Sequence, residues 1–115
     1  MLPAAHRLRV SGEFTLVQRR GTRISRPTLV VSALVRPEEP TRVGLTVGKS
    51  VGNSVVRHSV SRKLRHLAAP HLTELPPGTQ IVVRALPASS SANSAQLDTD
   101  FSEAIAELTR RGIKA

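Results

Sequence analysis

Apolar residues along the chain recur in two rhythms, and each rhythm assigns elements. Val10, Phe14 and Val17 stand at i, i+4 and i+7 behind Ser11, and Arg19 and Arg20 close the run before Gly21. That spacing lines one side of a helix, and cations in a last turn suit its dipole, so the pattern predicts a helix over Ser11 to Arg20. Thr28 to Val35 is a β-branched run ended by Arg36-Pro37-Glu38-Glu39-Pro40, a turn by its prolines and charges. Arg42 to Val47 alternates, with Val43, Leu45 and Val47 on one face and Gly44 and Thr46 on the other. These two strands, joined by a short turn, are expected to form a hairpin.

The helical rhythm returns after the loop Gly48-Lys49-Ser50-Val51-Gly52-Asn53-Ser54. Val56, Val60, Leu64 and Leu67 recur at i, i+4, i+8 and i+11, which predicts a second helix over about Val55 to His66 or a little beyond, with one apolar stripe. Its opposite arc collects Arg57, His58, Ser61, Arg62 and Arg65. Pro70 and Pro76-Pro77-Gly78 close that region, and Thr79 to Leu86 reads as a largely buried strand ended by Pro87. Ala88 to Ser94 reads as a small polar loop. A last helix, about Ser94 or Ala95 to Arg111, carries Leu97, Phe101, Ile105 and Leu108 in one stripe, with Asp98, Asp100 and Glu103 early enough to suit its N-terminal dipole. The order helix, strands, helix, strand, helix predicts a small sheet with helices packed on it.

Composition narrows the class. A length of 115 residues with 39% hydrophobic residues fits a single domain, 1–115, around one core. No cysteine is present, so there is no disulfide, thiolate metal site or cysteine nucleophile, which suits a reducing compartment. Runs such as Leu29 to Val31 and Ile81 to Val83 are far shorter than the roughly 18 residues a membrane span needs, and residues 1–9 lack a signal peptide's apolar stretch. The expectation is a cytoplasmic protein with no membrane association.

Charge changes the picture most. Lys and Arg number 17 against 8 Asp and Glu, a net charge of +9. Residues 1–65 hold thirteen of these bases and three acids, whereas residues 66–115 hold four bases and five acids. From Thr41 to Thr73 there is no acid at all, yet Arg42, Lys49, Arg57, Arg62, Lys63 and Arg65 lie inside that window. A solvated surface mixes both signs, so a concentrated positive field points to a polyanion.

Several chemistries can be set aside. Gly44-Leu45-Thr46-Val47-Gly48-Lys49-Ser50 has three residues between its glycines where a phosphate-binding P-loop needs four, and its first glycine sits inside a strand. His58, His66 and His71 are spaced by eight and five residues, unlike the i, i+4 pair that sets two imidazoles on one metal. They are expected to meet solvent or RNA, no metal-ligand set is expected, and no pair of acids forms a recognisable acid/base couple. The expectation is a chain without a catalytic centre of its own, whose arginines over about three turns of the second helix each offer bidentate bonds to phosphate.

At this point a resemblance becomes specific. The run from Arg42 to Arg65, with Gly48-Lys49-Ser50-Val51-Gly52-Asn53-Ser54-Val55-Val56-Arg57-His58-Ser59 at its centre, resembles the signature segment of the bacterial ribonuclease P protein subunit. Leu8 to Gly21 is similar to that family's first helix, Thr28 to Val35 to its sheet strand and Gln80 to Pro87 to its final strand. The resemblance implies an α+β fold, a two-layer α/β sandwich of the ribosomal protein S5 domain 2-like type with a left-handed βαβ crossover. It implies a protein cofactor of an endoribonuclease that removes the 5′ leader from precursor tRNA, with the catalytic centre and its Mg²⁺ ions held by an RNA partner. The implied partners are the ribonuclease P RNA subunit and precursor tRNA, with no protein partner evident.

Carried over residue by residue, Arg57, His58, Arg62, Lys63 and Arg65 would dock on the RNA subunit, and Phe14, Lys49 and Ser32 would hold the leader in a cleft. The sequence departs from the pattern in places. His58-Ser59 stands where the family motif has Asn-Arg, Ser61 replaces a usual Lys, and Gln18 and Ser32 occupy positions that are commonly aromatic. The implied consequence is weaker stacking on an unpaired leader. The alternatives are a non-catalytic ribosomal or RNA-assembly protein and a DNA-binding regulator, the latter disfavoured because the second helix has almost no Asn or Gln to read base edges.

Overall fold

The structure is a computed structural model and describes residues 7–8 and 11–113. Val10, which opens the first apolar stripe, and residues 1–6, which bear on a signal peptide, lie outside the described residues. In chain order the elements are α1 (Ser11–Arg20), β1 (Thr22–Ser25), β2 (Leu29–Val35), β3 (Arg42–Thr46), α2 (Ser54–Ala68), β4 (Thr79–Ala85) and α3 (Ser94–Arg111), with 3₁₀ turns at Ala69–Glu74 and Pro87–Ser90.

The four strands form one sheet in the order β1-β2-β4-β3. β2 pairs antiparallel with β1 and with β4, and β3 pairs parallel with β4, so β3–α2–β4 is a parallel crossover unit. The expected hairpin of β2 with β3 does not form, because β4 lies between them. The physical reason is burial. β2 and β4 are nearly continuous apolar runs, buried on both faces, and a strand buried that way needs a neighbour on each edge to satisfy its N–H and C=O groups. β3, with Arg42, Leu45 and Thr46 half-buried, is the better edge. The hairpin that does form joins β1 to β2 through Arg26-Pro27-Thr28, with the Arg26 N–H donating to the Leu29 carbonyl at 2.8 Å. β1 escapes a periodic reading because it has four residues and one buried apolar side chain, Ile24.

The main core lies on one face of the sheet. Ile24, Leu29, Val31, Ala33, Val43, Ile81, Val83 and Ala85 meet Val60, Leu64 and Ala68 of α2 and Leu97, Phe101, Ala104, Ile105 and Leu108 of α3. Both predicted stripes hold, and α2 ends a little beyond His66, as expected, at Ala68, which is part of that core. Helix starts are fixed by side chains: Asn53 accepts from the Val56 N–H at 3.0 Å, and Asn93 and Gln96 form a reciprocal capping box on α3. Asp100, expected to serve the helix dipole, is instead buried and accepts from both the Thr28 N–H (3.0 Å) and the Thr28 hydroxyl (2.5 Å), tying α3 to the head of β2. The expected polar loop after β4 tightens into the 3₁₀ turn Pro87–Ser90, where buried Ser89 donates to the Leu86 carbonyl.

On the reverse face α1 covers only one end. Val17 packs with Leu8, Leu34 and Val82, and Phe14 and Leu16 lie against that cluster. Leu8 itself is not helical: its N–H donates to the Val43 carbonyl at 3.0 Å, so the chain enters alongside β3 before α1 begins. Gly44 is what lets α1 sit so close, since a Cβ there would fall 2.5 Å from Cε2 of Phe14. The other end of this face is left uncovered.

Candidate nucleic-acid interface

α2 presents its cations because its apolar stripe faces the core. With Val60 and Leu64 buried, His58, Arg62 and His66 are exposed, and Arg57, Ser59, Ser61, Lys63 and Arg65 are half-buried along the flanks. At 1.5 Å per residue, Arg57 and Arg65 are about 12 Å apart along the axis, with His58, Arg62 and Arg65 in one i, i+4, i+7 row. Among the described residues none of Arg57, Arg62, Lys63 or Arg65 pairs with a carboxylate. Cations elsewhere behave differently. Arg36 and Arg42 both reach Glu13 and Glu39, Arg26 reaches Glu103, and Arg110 and Arg111 share Glu107. Acids are thus spent on the sheet edge and α3, and the α2 field stands unneutralised. Among the described residues Arg57 Nε is buried without a hydrogen-bond partner, a costly state for a guanidinium nitrogen.

The loop that launches α2 folds through successive turns, the Val51 N–H donating to the Gly48 carbonyl and the Gly52 N–H to that of Lys49. Gly52 holds φ 156°, and a Cβ there would press on Val56 at 2.9 Å. Lys49 is exposed at the tip of this loop.

Two depressions flank α1. The first, of about 160 Å³, is lined by Gln18, Arg23, Ser25, Val30, Ser32, Val82 and Arg84 and occupies the uncovered end of the sheet. The second, of about 280 Å³, lies between α1, β3 and α2 and is lined by Arg7, Leu8, Phe14, Val43, Leu45, Ser61 and Arg65. The three residues assigned to a leader cleft are therefore not brought together in one depression. Ser32 is in the floor of the first, Phe14 lines the second, and Lys49 lines neither. By contrast Arg57, His58, Arg62, Lys63 and Arg65 do share one helix surface.

Arg23 and Arg84 were not singled out from the sequence. A signal existed, because Arg84 interrupts the apolar run Ile81 to Ala85 one alternation after Val82, which places it on the α1 side of the sheet. Nothing in the sequence marks that side as uncovered. Among the described residues no group of three or more His, Asp or Glu side chains comes together as a metal-ligand set, and the α2 face has no carboxylate to offer a hard cation.

Comparison with known proteins agrees with this geometry. The ribonuclease P family model matches residues 2–109. The ribonuclease P protein component of Mycobacterium sp. strain KMS is 49% identical over 107 residues, covering 91% of each chain. That of Streptomyces bikiniensis is 44% identical over 123 positions, covering 99% of this chain and 100% of its own. In fold, the Staphylococcus aureus RNase P protein superposes with a TM-score of 0.79 at 21% identity, over 87% of this chain and 92% of that one. A matched family model over nearly the whole length, together with close relatives of the same description, favours this reading over a ribosomal or RNA-assembly protein. The chain belongs to the ribonuclease P protein component family.

Proposed function

We propose that this chain, as the protein subunit of ribonuclease P, docks the α2 face on the ribonuclease P RNA and presents the uncovered end of the sheet to the 5′ leader of precursor tRNA. Arg57, His58, Arg62, Lys63 and Arg65 carry the first contact. The observation that supports it most is the α2 field itself: cations on one helix surface, none paired with a carboxylate among the described residues, and one guanidinium nitrogen buried there without an acceptor. Counterion release from phosphates gives such a surface affinity without base readout.

The hydrolytic chemistry belongs to the RNA partner in this reading. Mg²⁺ held by the RNA would supply an activated water, and the α2 face of this chain, which lacks oxygen ligands of negative charge, does not fit a Mg²⁺ site. The protein's part is to bind, orient and screen the repulsion between two polyanions. The cytoplasm is where such an assembly would work. Mixing the protein with a ribonuclease P RNA and precursor tRNA at low Mg²⁺ tests the proposal: 5′ maturation is expected only when both subunits are present. Cleavage of precursor tRNA by the purified protein alone would overturn it.

A further inference from the structure

The uncovered end of the sheet has a composition that decides how it can hold RNA. Two cross-strand rows build it. Arg23 on β1 lies opposite Ser32 on β2, which lies opposite Val82 on β4; in the next row Ser25 lies opposite Val30 and Val30 opposite Arg84. Arg23 and Arg84 thus stand diagonally across β2, both exposed, two strands and two residues apart, or about 12 Å between their Cα atoms. Among the described residues neither meets a carboxylate. Gln18 and Ser25 supply hydrogen-bonding groups between them and Val30 the accessible apolar surface, while Ser32 and Val82 lie buried beneath as the floor.

No aromatic surface is available there. The chain has no Trp and no Tyr, and only two Phe. Phe101 is 1% exposed in the main core on the opposite face, edge-on to His71. Phe14 rests its ring edge on Gly44 and lines the neighbouring depression. A single strand laid across Arg23 and Arg84 therefore meets guanidinium groups, hydroxyls and aliphatic carbon, with no flat ring on which a base can stack.

We propose that this chain grips the precursor's leader by its phosphates, through Arg23 and Arg84, and does not read or stack its bases. The inference rests on the ribonuclease P function given above and adds which leader chemistry is recognised. It makes Arg23 and Arg84 positioning residues that anchor the leader on either side of β2, and it makes leader binding indifferent to base identity.

The test uses the reconstituted holoenzyme and compares binding of precursor tRNA with binding of the same tRNA lacking its leader, across salt concentrations. Three leaders are used: one of mixed sequence, one with every base changed and one abasic. The advantage conferred by the leader is expected to agree within about twofold among the three, since phosphate contacts survive base removal. Arg23→Ala with Arg84→Ala should erase most of that advantage and lower the salt slope by about 0.7 per arginine, the single-strand value, whereas Lys at both positions should keep the slope. Gln18→Tyr should create a base dependence that the parent lacks, about fivefold or more in favour of a leader with bases. Thermal melts of each variant control for folding. Loss of the advantage with the abasic leader, or an unchanged slope in the double Ala variant, overturns the inference while leaving the function intact. A holoenzyme that matures no precursor overturns the function and the inference with it.

Discussion

Gly44 shows how one missing side chain sets the geometry of two elements. A methyl group at this position would come within 2.5 to 3.0 Å of the Phe14 ring and of Leu8 Cβ, so Gly44→Ala forces the ring or the helix outward. Alanine normally gains about 0.5 to 1 kcal/mol over glycine through lower unfolded-state entropy, and overpacking typically costs about 1 to 3 kcal/mol. The expected net result is a loss of roughly 1 kcal/mol or more in urea unfolding. Phe14→Leu should cost less in the Gly44→Ala background than in the parent, because the two positions share one contact. An additive double-mutant cycle would show that ring and strand do not press on each other. In the sequence, Gly44 reads only as a weak residue in a strand. Its meaning lies in Phe14, thirty residues earlier, and no local pattern links the two. Asp100 makes the same point. Its place early in α3 fits a dipole role on paper, and only the fold brings the Thr28 N–H and hydroxyl to it.

At the scale of elements, α2 was the legible part. A 3.6-residue rhythm of Val56, Val60 and Leu64 fixes which side is buried, and the cations then have one place to be. Replacing Arg62 and Arg65 with Ala should lower the magnitude of the salt slope for RNA-subunit binding by roughly 0.7 to 0.9 per contact, with stability changed by less than about 0.5 kcal/mol because neither is part of the core. An unaltered slope would move the RNA surface off α2. The departures His58 and Ser59 carry a prediction of their own. Ser59 has Arg62 at i+3 and Lys63 at i+4, so an arginine there adds like-charge repulsion of about 0.4 to 1 kcal/mol over the two pairs. A charge-assisted phosphate contact is worth on the order of 1.5 to 3 kcal/mol before ordering costs, so His58→Asn with Ser59→Arg should tighten RNA-subunit binding about tenfold. Weaker binding in a titration would mean that the RNA partner is matched to His58. Strand partners were less legible than helix faces. Periodicity says which side of β2 or β4 is buried, but it carries no information on which strand lies beside which, and so the turn after β2 invited a hairpin that β4 displaces.

For the whole molecule the decisive quantity is a charge of +9, with the unpaired cations of α2 its densest group. Self-repulsion of that kind works against the compact state, and an anion that binds only the folded chain offsets it by linkage. Sulfate should therefore raise the Tm of the free protein by more than chloride at equal ionic strength, and the excess should shrink in the Arg62→Ala, Arg65→Ala variant. Equal shifts for both salts would reduce the effect to screening. The sheet order has a consequence at another stage of the protein's life. β4 is the neighbour that both β2 and β3 await, and Ala85 leaves the ribosome fifty residues after Val35. At about 5 to 20 residues per second of synthesis, roughly 2.5 to 10 s pass in which finished β2 has an open edge facing the cell, and about 2 to 8 s for β3. During that interval the nascent chain depends on the charges and prolines of Arg36-Pro37-Glu38-Glu39-Pro40, which break up any continuous sticky strand, and a message truncated before Ala85 yields a product bound for aggregation and proteolysis.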